Sequence, residues 1–104
     1  MDLSIKGKNA LVCASSQGLG KSAALDLAKE GVNLAICSRN EEKISLVKQE
    51  IEQIADVKVV AIEADLSSDK DISALFQKAK KELKAIDILI NNNGGPPPST
   101  FEEL

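Results

Sequence analysis

The chain contains no histidine, no tyrosine and no tryptophan, and only two phenylalanines, Phe76 and Phe101. Without histidine it lacks the side chain that most often moves protons near neutral pH, and without tyrosine it lacks a further acid. Two cysteines and no histidine also leave a zinc site without its usual ligand set. No apolar run approaches the roughly 20 residues that span a bilayer, and Met1-Asp2-Leu3-Ser4 offers no basic start to an apolar signal segment, so a cytoplasmic location is expected. Neither sign of charge dominates. Thirteen basic and sixteen acidic residues give a net charge of −3, and the lysines are scattered, which argues against nucleic acid or an anionic membrane as partner.

What remains is a soluble-type composition, 43% hydrophobic and 28% charged, with a core that must be aliphatic. A length of 104 residues allows one small domain but is short for a complete dinucleotide-binding sheet with helices on both faces. Cys13 and Cys37 each sit in an apolar run, where a thiol acts as a small buried hydrophobe.

The most informative stretch is Cys13-Ala14-Ser15-Ser16-Gln17-Gly18-Leu19-Gly20. Ala10-Leu11-Val12-Cys13 before it has the character of a buried strand. Leu19, Ala23, Leu27 and Ala28 after it recur at helical spacing, with a stop at Gly31. A glycine-bearing turn that opens a helix presents unpaired N–H groups and the positive end of the helix dipole, a docking place for pyrophosphate, and Gly18 and Gly20 remove the Cβ atoms that would obstruct it.

Further along, residues 1 to 9 form a lead-in with no assigned function. Val32 to Cys37 is a second apolar run, ended by Ser38-Arg39-Asn40, with Asn40 placed to cap a helix whose apolar stripe is Ile44, Val47, Ile51 and Ile54. Lys58 to Glu63 gives a third strand. It leads through Ala64-Asp65-Leu66 to Ser68 and Asp71, spaced as a capping box, and to a stripe of Ile72, Leu75, Phe76, Ala79 and Leu83. A fourth strand, Ile86 to Ile90, runs into Asn91-Asn92-Asn93-Gly94-Gly95 and three prolines. Strands alternating with amphipathic helices predict an α/β, Rossmann-like, doubly wound parallel sheet in the order 3-2-1-4, with the ligand crevice between strands 1 and 4 at their carboxyl ends. Ser99 with Glu102 and Thr100 with Glu103 stand at capping-box spacing, which predicts that a further helix starts at Ser99, that residues 1 to 104 form one dinucleotide-binding unit cut off there, and that strand 4 is left as an open, self-associating edge.

With these motifs in place the chain resembles the N-terminal part of the classical short-chain dehydrogenase/reductase family, particularly members similar to 3-oxoacyl-acyl-carrier-protein reductase. That family's coenzyme turn reads Thr-Gly-x-x-x-Gly-x-Gly. Here Cys13 and Ala14 replace the first pair, and Gly18 and Gly20 match. Asp87-Ile88-Leu89-Ile90-Asn91-Asn92-Asn93-Gly94 is similar to the family's fourth strand ending Asn-Asn-Ala-Gly, with Asn93 in place of alanine. The resemblance implies that Asp65 accepts from the adenine amino group beside Leu66, and that Asn92, Asn93 and Gly94 shape the ribose and nicotinamide end. On residue type alone, Asp65 would serve equally as a turn residue and the asparagine run as a tie for a loop. The candidate coenzyme contacts are therefore Ala14, Ser15, Ser16, Gln17, Gly18, Leu19, Gly20, Ser38, Arg39, Asn40, Asp65, Leu66, Asn92, Asn93 and Gly94, with no catalytic and no metal residue assigned.

Coenzyme choice follows from charge. A receptor for unphosphorylated ribose places a carboxylate roughly 20 residues beyond the glycines, where it repels a 2′-phosphate. Ser38-Arg39-Asn40 stands there instead, with a guanidinium that can bind phosphate bidentately, which favours NADP(H) over NAD(H), although Gln17 stands where many NADP-preferring relatives carry a basic residue. By resemblance the reaction is hydride transfer between nicotinamide and a small carbonyl or alcohol substrate in a homo-oligomeric protein, using a Tyr, a Lys and a Ser that this segment does not supply, so the segment alone is expected to be inactive. A non-catalytic nucleotide-binding or interaction module complete at Leu104 is the alternative. A methyltransferase is disfavoured because Ser38-Arg39 stands where such sites want an acid.

Overall fold

The strands are legible in their period-two burial. Ala10 and Val12 enter one apolar cluster while Leu11 and Cys13 enter another, and Leu34 and Ile36 separate from Ala35 and Cys37 in the same way. Successive side chains of a strand point to opposite faces, so residues buried on both faces mark central strands of a sheet covered on two sides. In the computed structural model, which describes residues 5–13, 18–91 and 101–103, this produces β1 (Asn9–Cys13), α1 (Gly18–Lys29), β2 (Asn33–Ser38), α2 (Glu41–Ile54), β3 (Val59–Glu63), α3 (Asp69–Leu83), β4 (Ile88–Asn91) and β5 (Phe101–Glu103). The order is β3-β2-β1-β4-β5, parallel from β3 through β4. The expected 3-2-1-4 arrangement is thus present.

α1 and α2 cover the face of Val12, Leu34, Ile36 and Ile88, contributing Ala24, Leu27, Ile44, Val47 and Ile51. α3 covers the other face with Leu75, Ala79 and Leu83 over Leu11, Cys13, Ala35 and Cys37. Ile54, expected in the α2 stripe, is instead 48% exposed, as the last residue of its helix. Gly31 stops α1 with φ of +84°, a conformation that glycine adopts without strain, while Val32 N–H donates to the Leu27 carbonyl at 3.1 Å to close the last turn. Lys21 and Glu50 join α1 to α2 at 3.0 Å. No helix of the described residues is long and apolar enough to cross a membrane.

The helix expected from Ser99 does not include Phe101–Glu103. Ser99 and Thr100 lie outside the described residues, and Phe101–Glu103 runs as β5, antiparallel to β4 with Ile88 opposite Glu103 and Ile90 opposite Phe101. The unpaired N–H and C=O groups along β4 offer ready partners to an extended segment. β4 is consequently an interior strand rather than the open edge expected of it.

Candidate coenzyme site

The carboxyl ends of β1, β2 and β3 bring the described candidates, from Gly18 to Leu66, to one rim of the sheet. Gly18 opens α1 with φ of +62°, a left-handed conformation unfavourable for other residues. No atom of the described residues lies within 4 Å of where a Cβ would stand on Gly18, while Gly20 is buried. α1 also has no acidic residue in its first turn, in contrast to Glu41 and Glu42 in α2 and to Asp69 and Asp71 in α3. The positive end of the α1 dipole is therefore not answered by a carboxylate of its own first turn. Ala14, Ser15, Ser16 and Gln17 lie outside the described residues, as do Asn92, Asn93 and Gly94, and of Leu19 only the helical backbone is described.

At the end of β2 the chain turns through a tight polar corner. Ser38, only 7% exposed, accepts from the Asn40 N–H through its Oγ at 3.0 Å. Asn40 caps α2 as expected, its Oδ1 accepting from the Lys43 N–H at 2.9 Å. Arg39 stands exposed at the apex between them. The β2–β3 ladder continues one step past Ser38 and Glu63, because Ala64 N–H donates to the Ser38 carbonyl at 2.9 Å. Asp65 therefore leaves the sheet beside Arg39.

Asp65 is fixed by its own loop. Its Oδ1 accepts from both the Ser67 hydroxyl, at 2.7 Å, and the Ser67 N–H, at 2.9 Å. Those two bonds, the hydroxyl first, hold the Asp65 carboxyl below its ordinary range, and the positive charge of Arg39 adds to the effect. Oδ2 carries no hydrogen bond among the described residues and could accept from a ligand. Leu66 packs, half-buried, against the α3-side core. Ser68 caps α3, its Oγ accepting from the Asp71 N–H at 3.3 Å, but the expected return bond from Asp71 to the Ser68 N–H is absent. Ser68 N–H donates to the Asp65 carbonyl, and the Asp71 carboxylate instead accepts from the Asp65 N–H at 2.9 Å. Spacing alone could not distinguish these two uses of one carboxylate.

Beneath this rim Cys13 and Cys37 are buried on adjacent strands and form no disulfide. The neighbouring Cys37 thiol, and burial after it, push the Cys13 thiol far above its ordinary range, which makes it a neutral core group. Among the described residues no group of three or more His, Cys, Asp or Glu side chains gathers as metal ligands.

The sequence and the fold resemble those of known proteins. The chain is 36% identical over 96 residues to the NADPH-dependent reductase BacG of Bacillus subtilis, covering 91% of this chain and 37% of that protein. Its fold matches L-sorbose reductase from Gluconobacter frateurii complexed with NADPH and L-sorbose at a TM-score of 0.87 and 27% identity, covering 96% of this chain and 38% of that one. A 7α-hydroxysteroid dehydrogenase complexed with NADH matches at a TM-score of 0.85 and 32% identity, covering 93% of this chain and 38% of that one. The chain thus spans less than two-fifths of the length of these relatives. The short chain dehydrogenase family model matches residues 8–104, and the chain belongs to that family.

Proposed function

We propose that these 104 residues form the dinucleotide-binding part of an NADP(H)-dependent short-chain oxidoreductase acting on a small carbonyl or alcohol substrate. Family membership supports the nicotinamide coenzyme. The observation that carries the choice of NADP(H) is the corner at the end of β2. The exposed Arg39 is flanked there by a buried hydroxyl and a capping amide, with no carboxylate at the tip of the strand to repel a 2′-phosphate.

In this reading the pyrophosphate rests over Gly18 on the N–H groups at the start of α1, Arg39 takes the 2′-phosphate, and Asp65 Oδ2 accepts from the adenine amino group. Asn92 and its neighbours face the nicotinamide ribose. Bound NADP(H) supplies a hydride donor or acceptor. The residues named here bind and orient. With no histidine and no tyrosine, none of them is an obvious general acid or base, so proton transfer to the substrate falls to groups outside these 104 residues, and the segment by itself turns nothing over.

Titration of NADPH and NADH against the wild-type chain and Arg39→Asp tests the assignment. NADPH is expected to bind the wild type at least 10 times more tightly than NADH, since a charge-assisted hydrogen bond contributes about 1.5 to 3 kcal/mol, and the substitution should reverse the order. Selectivity unchanged by Arg39→Asp would remove Arg39 from the site.

A further inference from the structure

Asp71 is the acidic residue whose carboxylate leaves its own helix. Sequence spacing places it as the partner of Ser68 in closing the first turn of α3, yet Asp71 Oδ2 lies 2.9 Å from the Asp65 backbone nitrogen, six residues earlier. The Asp65 carbonyl accepts from Ser68 N–H at 3.0 Å, and Ser68 Oγ accepts from Asp71 N–H at 3.3 Å. These bonds close a ring that runs from Asp65 through Ser68 to Asp71 and back. The bonds at the Asp65 N–H and carbonyl hold the backbone on both sides of its side chain without the Ser68 hydroxyl, and Ser67 fixes that side chain through Oδ1. Oδ2 carries no hydrogen bond to a described residue. A helix cap needs only Ser68, so the bond from Asp71 is additional to the helix. It acts on the one loop that carries the carboxylate facing Arg39.

Resting on the coenzyme reading above, we propose that Asp71 is a positioning residue for the adenosine end of the site: by holding the Asp65 N–H it sets the direction of Asp65 Oδ2. Asp71 touches no coenzyme atom in this arrangement. Glu41, Glu63 and Lys78 line the groove on its other side, between α2 and α3, and none of them replaces its bond to Asp65.

The test measures binding of 2′,5′-ADP, the adenosine half of the coenzyme, and of NADPH to the wild-type chain, Asp71→Ala, Asp71→Asn and Ser68→Ala, with a thermal melt of each. Asp71→Ala is expected to weaken both ligands by the same factor, about 10-fold, because only the adenosine end is disturbed. Asp71→Asn keeps an acceptor oxygen and should recover most of that loss. Ser68→Ala removes the cap and should lower the melting temperature without the 10-fold loss in affinity, which separates positioning from helix stability. Affinities for Asp71→Ala within about two-fold of wild type, or an equal loss in Ser68→Ala, would overturn the proposal while leaving the coenzyme site standing. A wild-type chain that binds neither 2′,5′-ADP nor NADPH would overturn the coenzyme reading and this inference with it. Should Asp71→Ala not fold, Asp71→Glu, which displaces the carboxylate by one methylene, is expected to weaken 2′,5′-ADP, and unchanged affinity there would equally refute the proposal.

Discussion

The two ends of the sheet are held in different ways. At the amino ends of the strands, side chains tie distant parts of the chain to one another. Asp87 accepts from the Asn9 N–H, Asn9 Nδ2 donates to the Leu83 carbonyl, Asn33 Nδ2 donates to Asn9 Oδ1, and Asn33 Oδ1 accepts from the Lys58 N–H. These bonds span between 24 and 78 residues and join the starts of all four parallel strands to the end of α3. At the carboxyl ends the described polar loops are bonded locally. Ser38 with Asn40, Asn40 with Lys43, Asp65 with Ser67 and Asp65 with Asp71 span two to six residues. Each described loop of the rim is stiffened from within by its own side chains. Long-range ties fix the topology at one end, and the other is left as separately shaped loops that a ligand can bridge.

If that division holds, a change at each end should separate binding from folding. Gly18→Ala adds one methyl group where no described residue lies within 4 Å. It is expected to weaken NADPH by about 100-fold, or about 2.7 kcal/mol, while the strain of a left-handed alanine costs the fold about 1 kcal/mol. Titration of coenzyme alongside a denaturant melt reads both, and a larger loss in folding than in binding would break the comparison. Asn9→Ala should do the reverse. It deletes the side chain that links α3 to β2 and leaves the Leu83 carbonyl without that donor, at a cost of about 2 kcal/mol in unfolding free energy by chemical denaturation. Its coenzyme affinity should stay near that of the wild type.

The contrast also explains how much could be read in advance. The apolar run Val32 to Cys37 and the helical spacing of Ile44, Val47 and Ile51 are local patterns that placed strands and helices, and the order 3-2-1-4 followed from their alternation with right-handed crossovers. Asn40 and Ser68 were legible as caps because capping spans only three residues. Asn9, Asn33 and Asp87 were not, since a tie across 78 residues leaves no mark in spacing. Strand β5 was missed because Ser99 to Glu103 carries a helix-start pattern, while its actual partner, β4, decides the outcome through backbone groups that sequence does not encode. Asp71 was assigned to the right residue pair and the wrong bond.

The smallest expected effect concerns what lies beneath the rim, where the carboxyl ends rest on thiols and methyl groups rather than polar ties. Cys13 is 5% exposed, at the foot of the turn, and its pKa is raised by the Cys37 thiol and by burial. A group whose pKa is higher in the folded chain contributes stability that is fully present below its unfolded value and is lost as pH rises above it, because only the unfolded chain then ionises. For a thiol that titrates near 8.5 when unfolded, the loss between pH 8.5 and 9.5 is about 1 kcal/mol. Lysines begin to titrate in the same window, so the quantity to follow is the difference in unfolding free energy between wild type and Cys13→Ala, measured by denaturant melts at both pH values. That difference should shift against the wild type by about 1 kcal/mol. If it does not move, Cys13 ionises as readily in the folded chain as in the unfolded one, and the carboxyl end of β1 is wetter than the packing of Leu11, Cys13, Ala35 and Cys37 against α3 describes.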